Sequence, residues 1–285
     1  MDNNLFGLTN LNNICFMNSV LQLLCSSSDF LNEVENSGGD DFKGKSQLFK
    51  IIFSENGLPK AGSDICRLLV AYYSQDNEDY IFGRYMDAQE YYTYLFTRWE
   101  IKSLSVKIKK ERSSILEPGV PRTADDDYTS FQMENFISLP MVTSSGEHLT
   151  NFDECLDNFL TEFPEDFGKP TVIRNTFEAC GNQIVFGLKR FSYEFTPNGD
   201  FIMNKNKRRI TMREDITLQI NGQPVDFYLK AAIMHIEFSG CGKHYIMFKK
   251  VLDEWYAIDD STIYKFENED FECCYMYLYD RKIRI

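Results

Sequence analysis

The chain has 285 residues, 43 % apolar and 26 % charged, which allows one large domain or two small ones around a sizeable core and excludes disorder over most of its length. Acids outnumber bases 43 to 30, a net charge of −13, which excludes a protein that tracks phosphate backbones and suits a partner with a basic face or tail. The eight cysteines form no Cys-x-x-Cys pair, no stretch approaches the length of a membrane span, and residues 1–13 hold no apolar run of signal-peptide length. Zinc ribbon, disulfide framework, membrane span and leader are therefore not expected, and a reducing compartment, cytoplasmic or nuclear, is.

Up to about Trp99 the pattern is helical. Residues 15–25 place Met17, Val20, Leu21 and Leu24 on one helix face. Residues 46–53 and 63–73 read the same way, with Ser63 as an N-cap. Residues 86–99 open with Asp87-Ala-Gln-Glu90, the spacing of a capping box, and offer Tyr91, Tyr92, Leu95, Phe96 and Trp99 for burial. Residues 101–128 are charged, carry Pro118, Pro121 and the run Asp125-Asp126-Asp127, and read as short strands or a mobile excursion. A strand is expected over 131–139 and a helix over 151–163. From Gln183 the period becomes two, with Ile184, Phe186 and Leu188 on one face. Asn198-Gly199 and Asn221-Gly222 are two-residue hairpin signals. Four strand-like runs follow at 225–238, 244–251, 255–258 and 273–279. Helices first and an antiparallel meander last make an α+β plan.

Cys15 follows the turn Asn10-Leu-Asn-Asn13 and starts a helix. Free N–H groups and a partial positive charge at that end favour thiolate over thiol, although a lone cysteine also serves as a small buried hydrophobe. Of three histidines, His148 sits in a polar loop, and His235 lies mid-strand among apolar residues as a satisfied core or wall group. His244 opens a strand, and the next strand ends in Asp259-Asp260-Ser261. A turn at Leu252-Asp253 sets Lys250 opposite Trp255 and Asp259 diagonal to His244 on one face. The competing reading of the two aspartates is a solvated turn. Neighbouring side chains diverge in a strand, so Asp260 is expected to play the smaller part. Cys, His and Asp in that order fit a thiol peptidase, and the Asn10 amide can serve an oxyanion.

Gly7-Leu-Thr-Asn-Leu-Asn-Asn-Ile-Cys15-Phe-Met-Asn-Ser-Val-Leu-Gln22 resembles the Cys box of the ubiquitin-specific proteases, the papain-like deubiquitinating enzymes. Tyr85-Met-Asp-Ala-Gln-Glu90 resembles their acidic box and Leu188-Lys-Arg-Phe191 their central strand signature. Lys243-His-Tyr245, Trp255-Tyr-Ala-Ile-Asp-Asp-Ser261 and Cys274-Tyr-Met-Tyr-Leu-Tyr279 resemble their His box. The resemblance implies a right-hand architecture in one catalytic domain, 1–285: a helical thumb at 1–99, shortened fingers and a connecting helix at 100–182, and an antiparallel β palm at 183–285. It implies Cys15 as nucleophile, His244 as base, Asp259 as its orienter at Nδ1, and Asn10 as oxyanion donor. Asp87, Glu90, His235, Tyr245 and Asp260 are placed on the substrate side, with Asp87 and Glu90 toward the arginine-bearing tail of ubiquitin.

The family usually has Gly at Asn12, Thr at Ile14, Tyr at Phe16 and Gly at Lys243. A lysine before the catalytic histidine stands where the terminal Gly-Gly of ubiquitin passes close to the backbone. Many members hold zinc in the fingers through paired cysteines. Residues 101–182 contain only Cys155 and Cys180, so neither metal nor cofactor is expected. The implied function is a deubiquitinase cleaving after the C-terminal glycine of ubiquitin, a monomer whose partners are ubiquitin and ubiquitinated proteins, not nucleic acid or membrane. The alternatives are a catalytically weak or inactive ubiquitin-binding module and a protease for another ubiquitin-like modifier.

Overall fold

The structure, a computed structural model, describes residues 5–36, 85–99, 101–123, 126–166, 169–196, 198, 201–238, 242–267 and 271–282. The apolar face read at 15–25 becomes α1 (Cys15–Cys25), every residue of which is buried. The turn before it holds Asn12 and Asn13 at φ 71° and 62°. Asparagine is among the few side chains that enter this left-handed region readily, which explains how Asn12 replaces a glycine. Ile14 is the N-cap and makes no side-chain cap bond. The Asn10 side-chain oxygen instead accepts the Ile14 N–H at 3.1 Å. α2 (Ser28–Asn36) follows, and α3 (Ala88–Trp99) packs on α1 through an edge-on Phe16–Tyr91 contact of 5.4 Å. The helices expected over 46–53 and 63–73 lie outside the described residues.

The charged stretch after α3 forms a long hairpin rather than short strands. β1 (Val106–Ser114) pairs antiparallel with β2 (Asp127–Glu134), and on its other edge with β6 (Lys169–Ala179). Val106 and Ile108 supply the alternating buried positions, and both prolines fall in the connection, where a missing N–H costs no ladder bond. That connection is closed by side chains. Asp126 is 2 % exposed and takes the N–H and hydroxyl of Thr123 at 2.6 and 2.8 Å. Arg122 donates to both oxygens of Asp127 at 2.7 Å.

β3 (Ile137–Leu139) precedes α4 (Phe152–Leu160), which Asn151 caps through the Glu154 N–H at 2.9 Å. α4 stops at Leu160, short of the expected 163, because β4 (Thr161–Glu162) joins β6; β5 (Glu165–Asp166) pairs there too. The remaining strands are β7 (Gln183–Leu188), β8 (Phe191–Phe195), β9 (Phe201–Lys205), β10 (Asp215–Ile220), β11 (Gln223–Phe238), β12 (Gly242–Val251), β13 (Glu254–Asp259), β14 (Thr262–Lys265) and β15 (Cys274–Arg281). β8 and β9 form their own hairpin across the Asn198-Gly199 signal. The rest join one large sheet. Its pairs are antiparallel except β10 on β6 and β3 on β7.

β11 organises the palm. Its first half pairs with β10, its second with β12, and β15 runs along its middle. At β12 the sheet is buried on both faces. Tyr245 and Met247 of β12 join the core under α1 and α3, and Ile246 and Phe248 join the core under α4. That is the period of two of a strand between two layers. Gln89 on α3 donates to the carbonyls of Leu188 and Tyr275, both at 3.2 Å, and so docks the helix on the palm.

The segment before α1 docks on the turn after β13, where the Leu8 N–H reaches the Asp260 carbonyl at 2.8 Å. A Cβ on Gly7 would lie 2.6 Å from the backbone of Ser261. Gly7→Ala must displace one of two backbones and is expected to cost about 2 kcal/mol. Denaturant melting checks this, and a change below about 0.5 kcal/mol would show that the contact yields.

Candidate active site

Cys15 is the first residue of α1 and is 1 % exposed. Its sulfur lies at a helix N-terminus, where unpaired N–H groups favour negative charge. His244 comes from β12 and hydrogen bonds Cys15. The β12–β13 ladder sets Lys250 opposite Trp255, as the Leu252-Asp253 turn predicts, and runs to Met247 opposite Ile258. It brings Asp259 to the imidazole with Oδ1 2.6 Å from Nε2. The ring orientation differs from the one expected. Asp259 takes Nε2, not Nδ1, which leaves Nδ1 as the nitrogen for the sulfur. The physical reason is the direction of approach: the carboxylate arrives from the neighbouring strand and the thiol from the opposed helix, so each takes a different ring edge.

The environment raises His244 from its ordinary 6.5 to about 9, first through the hydrogen bond to Cys15 and, against desolvation, through that to Asp259. The raised value has a definite sign. Below about 6.5 the ring is charged whether folded or not. Between about 6.5 and 9 only the folded site keeps it charged, and the stabilisation is lost as pH rises through about 9. The alkaline limb of kcat/KM is expected near pH 9 as a property of the Cys15–His244 pair, and Asp259→Asn is expected to move it to lower pH. A wild-type alkaline limb below pH 7 would exclude the ion pair.

Asp260 is where the chain leaves the strand, with φ 50°. Its Oδ1 accepts from Asn18 at 2.6 Å and its Oδ2 from Asn10 at 2.8 Å. Oδ2 also lies 3.9 Å from His244 Nε2. Both oxygens of Asp260 are thus used within the chain, and the side chain holds the Asn10 amide beside the start of α1. Burial raises its pKa, and the two amides oppose this. Asn18 did not stand out in the sequence beyond its place in the Cys15 motif. The available signal was a polar residue on a helix with no exposed face, since buried amides need partners.

Asp87 caps α3, accepting the N–H groups of Gln89 and Glu90 at 2.8 and 3.1 Å. The Tyr275 hydroxyl donates to it at 2.8 Å and that of Tyr245 lies 3.4 Å away. Burial holds its pKa above the usual carboxylate range. Of the two roles weighed for Asp87, the cap is the one its geometry fills. Tyr275, another residue missed, lies in a Tyr-rich strand whose alternation marked only burial.

Two cavities continue from here. One of about 500 Å³ lies between α3 and the Leu188–Phe191 segment, with Glu90 and Tyr275 on its walls. One of about 170 Å³ is lined by Met86, Glu90, Phe191, His235, Lys243 and Tyr245, among others. Asp87, Glu90 and Phe191 are common to both. Lys243 therefore stands on the wall of this channel.

The described residues hold one cluster of metal-type ligands, His244, Asp259 and Asp260. Its atoms are already engaged with one another and with the two asparagines. In the finger region Cys155 is fully buried in the core under α4 and Cys180 packs against the same core. Both serve as apolar packing, and the residues do not fit a thiolate zinc site.

A family model described as ubiquitin carboxyl-terminal hydrolase matches residues 6–279. The chain belongs to that family. As a ubiquitin carboxyl-terminal hydrolase it is of the cysteine type. The architecture agrees. The SAGA DUB module Ubp8/Sgf11/Sus1/Sgf73 bound to ubiquitin aldehyde contains a chain with TM-score 0.74 and 19 % identity, covering 100 % of this chain and 71 % of that one. The same module bound to monoubiquitin gives 0.77 and 17 %, covering 100 % and 70 %. A yeast SAGA DUB module gives 0.73 and 17 %, covering 100 % and 70 %. At such identities the likeness establishes the fold. A search of curated proteins finds no match.

Proposed function

We propose that this hydrolase is active on ubiquitin conjugates, cleaving the peptide or isopeptide bond after the C-terminal glycine of ubiquitin. The observation that carries the reading is the relay from Cys15 through His244 to Asp259, closed by the 2.6 Å Nε2–Oδ1 contact, with Lys243 and Tyr245, the sequence neighbours of His244, on the wall of the 170 Å³ cavity. Similar solved structures hold ubiquitin aldehyde or monoubiquitin, which supports ubiquitin as the partner.

In this mechanism the Cys15 thiolate attacks the glycyl carbonyl carbon. The oxygen becomes an oxyanion facing the remaining N–H of the Asn10 amide, whose other N–H is held by Asp260. The His244 imidazolium gives its proton to the leaving amine, and the C–N bond breaks to leave a thioester. Neutral His244 then takes a proton from water, hydroxide attacks the thioester, and the carboxylate of ubiquitin departs as the thiolate re-forms. Asp259 holds the ring in place through both steps. A thiol nucleophile fits a reducing compartment, and the chain is read as working there as a monomer.

Lys243 favours a second reading, a module that binds ubiquitin and cleaves it poorly, because its side chain lines the channel wall. Hydrolysis of a ubiquitin C-terminal fluorogenic substrate, beside a panel of ubiquitin-like modifiers, separates the readings. Turnover of the ubiquitin substrate supports the proposal. Binding without turnover, rescued by Lys243→Gly, supports the module.

The acidic channel wall gives a paired test. Asp87→Ala removes the cap of α3 and the acceptor of a buried phenol, and is expected to lower stability by about 1–2 kcal/mol. Glu90→Gln is expected to leave the melting temperature alone and raise KM a few-fold, about 1 kcal/mol or less for a solvent-screened contact. A fall in melting temperature with Glu90→Gln at constant KM would assign Glu90 to the helix instead.

A further inference from the structure

The basic residues are unevenly spread. Of the chain's 30 lysines and arginines, Lys205, Lys207, Arg208, Arg209 and Arg213 fall in one short stretch that holds no acid, within a chain of net charge −13. The stretch closes β9 and leads to β10, and all but Lys205 are exposed. Its backbone is held from beneath. The Arg190 guanidinium, 2 % exposed, donates to the carbonyls of Asn206 and Arg208 at 3.2 and 2.7 Å, and to those of Glu272 and Cys274 at 2.7 and 2.9 Å. Ile210 is fully buried, and its N–H reaches the Glu272 carbonyl at 3.0 Å. Carbonyls and Ile210 turn inward, so Lys207, Arg208 and Arg209 are carried outward on a fixed loop. Glu237 serves both Lys205 and Lys207, at 3.7 and 2.7 Å, Glu272 serves Arg209, and Asp153 serves Arg213. Among the described residues no acid pairs with Arg208. The Lys207 and Arg213 side chains are 72 % and 62 % exposed, and pairs so exposed hold their partners weakly. The stretch also lies beside the reacting centre. Glu237 on β11 stands opposite Lys243 on β12, the residue before His244, so Lys207 is one cross-strand pair away from the neighbour of the base.

We propose that this basic loop is a docking surface for an acidic stretch of the protein joined to ubiquitin. The inference rests on the proposed ubiquitin hydrolase activity and adds a preference among conjugates. The chain as a whole repels acidic partners, and the loop is where that repulsion is locally reversed. Arg208 offers a planar fork that matches a carboxylate, and Lys207 a mobile point charge. The loop is fixed before binding, so little backbone freedom is lost when a partner docks. A nucleic acid fits less well. Glu237 and Glu272 interleave the cations, and a continuous polyanion extends past the loop into the field of a chain of charge −13. A short acidic stretch stays within about one Debye length, ~10 Å at 0.1 M salt, and meets only the local excess of positive charge. Such attraction speeds encounter and fixes orientation, so it acts on kcat/KM and weakens with salt.

The test measures kcat/KM on ubiquitin extended after its C-terminal glycine by a Gly/Ser linker and a run of Asp and Glu, or a matched run of Ser and Gln. A ubiquitin C-terminal fluorogenic substrate is the unextended control. Wild type is expected to cleave the acidic fusion about 3- to 10-fold faster than the neutral one at about 0.05 M salt, and equally at about 0.5 M. Arg208→Glu should abolish or invert the preference and leave the fluorogenic substrate at the wild-type rate. Lys207→Gln should reduce it. If Arg208→Glu does not fold, Arg208→Gln gives the comparison without a reversed charge. Equal rates on the two fusions at low salt overturn the inference, as does a preference unchanged in both variants. A single-stranded oligonucleotide that binds wild type and not Arg208→Glu in fluorescence anisotropy, with no advantage for the acidic fusion, assigns the loop to nucleic acid and overturns it as well. All three leave the hydrolase activity standing. A wild type that turns over neither the fusions nor the fluorogenic substrate, while iodoacetamide alkylates Cys15 normally, overturns the activity and this inference together.

Discussion

Replacement of Cys15 by alanine is expected to abolish hydrolysis of ubiquitin substrates, a loss on the order of 10⁵-fold or more by analogy with nucleophile removal in a well-studied protease. Binding of ubiquitin should persist. The substitution takes one sulfur from the start of α1 and leaves the turn at Asn12 and Asn13, the Asn10 bond to Ile14 and the packing of the rest of the helix in place. Three of the other described thiols are poor competitors. Burial pushes Cys155 up to about 12, raises Cys180, and drives Cys25 higher still. None of these is a thiolate at neutral pH, and Cys66 and Cys241 lie outside the described residues. A ubiquitin electrophile should therefore add one label per chain, located at Cys15 by mass spectrometry. Equal labelling in Cys15→Ala would move the nucleophile elsewhere. His244 supplies a second readout. Its largest upward influence is the bond to Cys15, so in Cys15→Ala its pKa, followed by NMR, should fall from about 9.

The parts of this site that were legible in the sequence are those set by short-range rules. The limits of α1 follow from a 3.6-residue apolar period starting at Cys15. The β12–β13 register follows from a two-residue turn, which holds Leu252 and Asp253 at φ 48° and 65° and fixes every pair behind it. That register is what brings Asp259 to His244. The fold class was legible through motif order and the switch from helical to strand period. Tertiary choices were not. Asn10 and Asp260 are bonded across 250 positions, and no local pattern selects that pair over others. The long β1–β2 hairpin was hidden by its charges, since Lys107, Lys109 and Glu111 suit the partly exposed face of a strand as well as a loop. His235 was readable as buried, but whether its nitrogens are satisfied depends on Phe191 and Tyr245, which arrive from other strands. The ring edge that Asp259 takes depends in turn on where α1 lies above the sheet.

The two adjacent aspartates should separate in a way that strand geometry alone does not give. In a continuing strand Asp260 would point away from His244 and matter little. The positive φ at Asp260 ends the strand, and its carboxylate turns back beside the site. Asp259→Asn removes a charge from Nε2 but leaves an oxygen that can still accept its proton, at a position whose side chain is 37 % exposed. Water can supply part of what is lost, and a preformed thiolate needs the third residue less than a serine does. The expected loss in kcat/KM is about 10- to 10³-fold, below the roughly 10⁴-fold of a serine triad. Asp260→Asn acts differently. The native carboxylate accepts two amide donors, one from Asn10 and one from Asn18. An amide at 260 has one acceptor, and its own NH₂ would meet another NH₂. One asparagine loses its partner at a site where the side chain is 11 % exposed, and a buried hydrogen bond to a charged group is worth about 1.5–3 kcal/mol. If the released group is Asn10, the oxyanion loses an oriented donor, a loss of about 10²- to 10³-fold, and the Ile14 N–H loses its acceptor. Asp260→Asn is therefore expected to be at least as damaging as Asp259→Asn, and to leave the alkaline limb near pH 9 where Asp259→Asn shifts it. Asp260 and Asn10 act as one unit, so Asp260→Asn and Asn10→Ala should combine to much less than the sum of their separate free-energy losses. Measured kcat/KM for the two single variants and the double variant decides the point. Full additivity, or an Asp260→Asn enzyme within about 3-fold of wild type, would leave Asp260 as a simple turn residue and return the whole positioning role to Asp259.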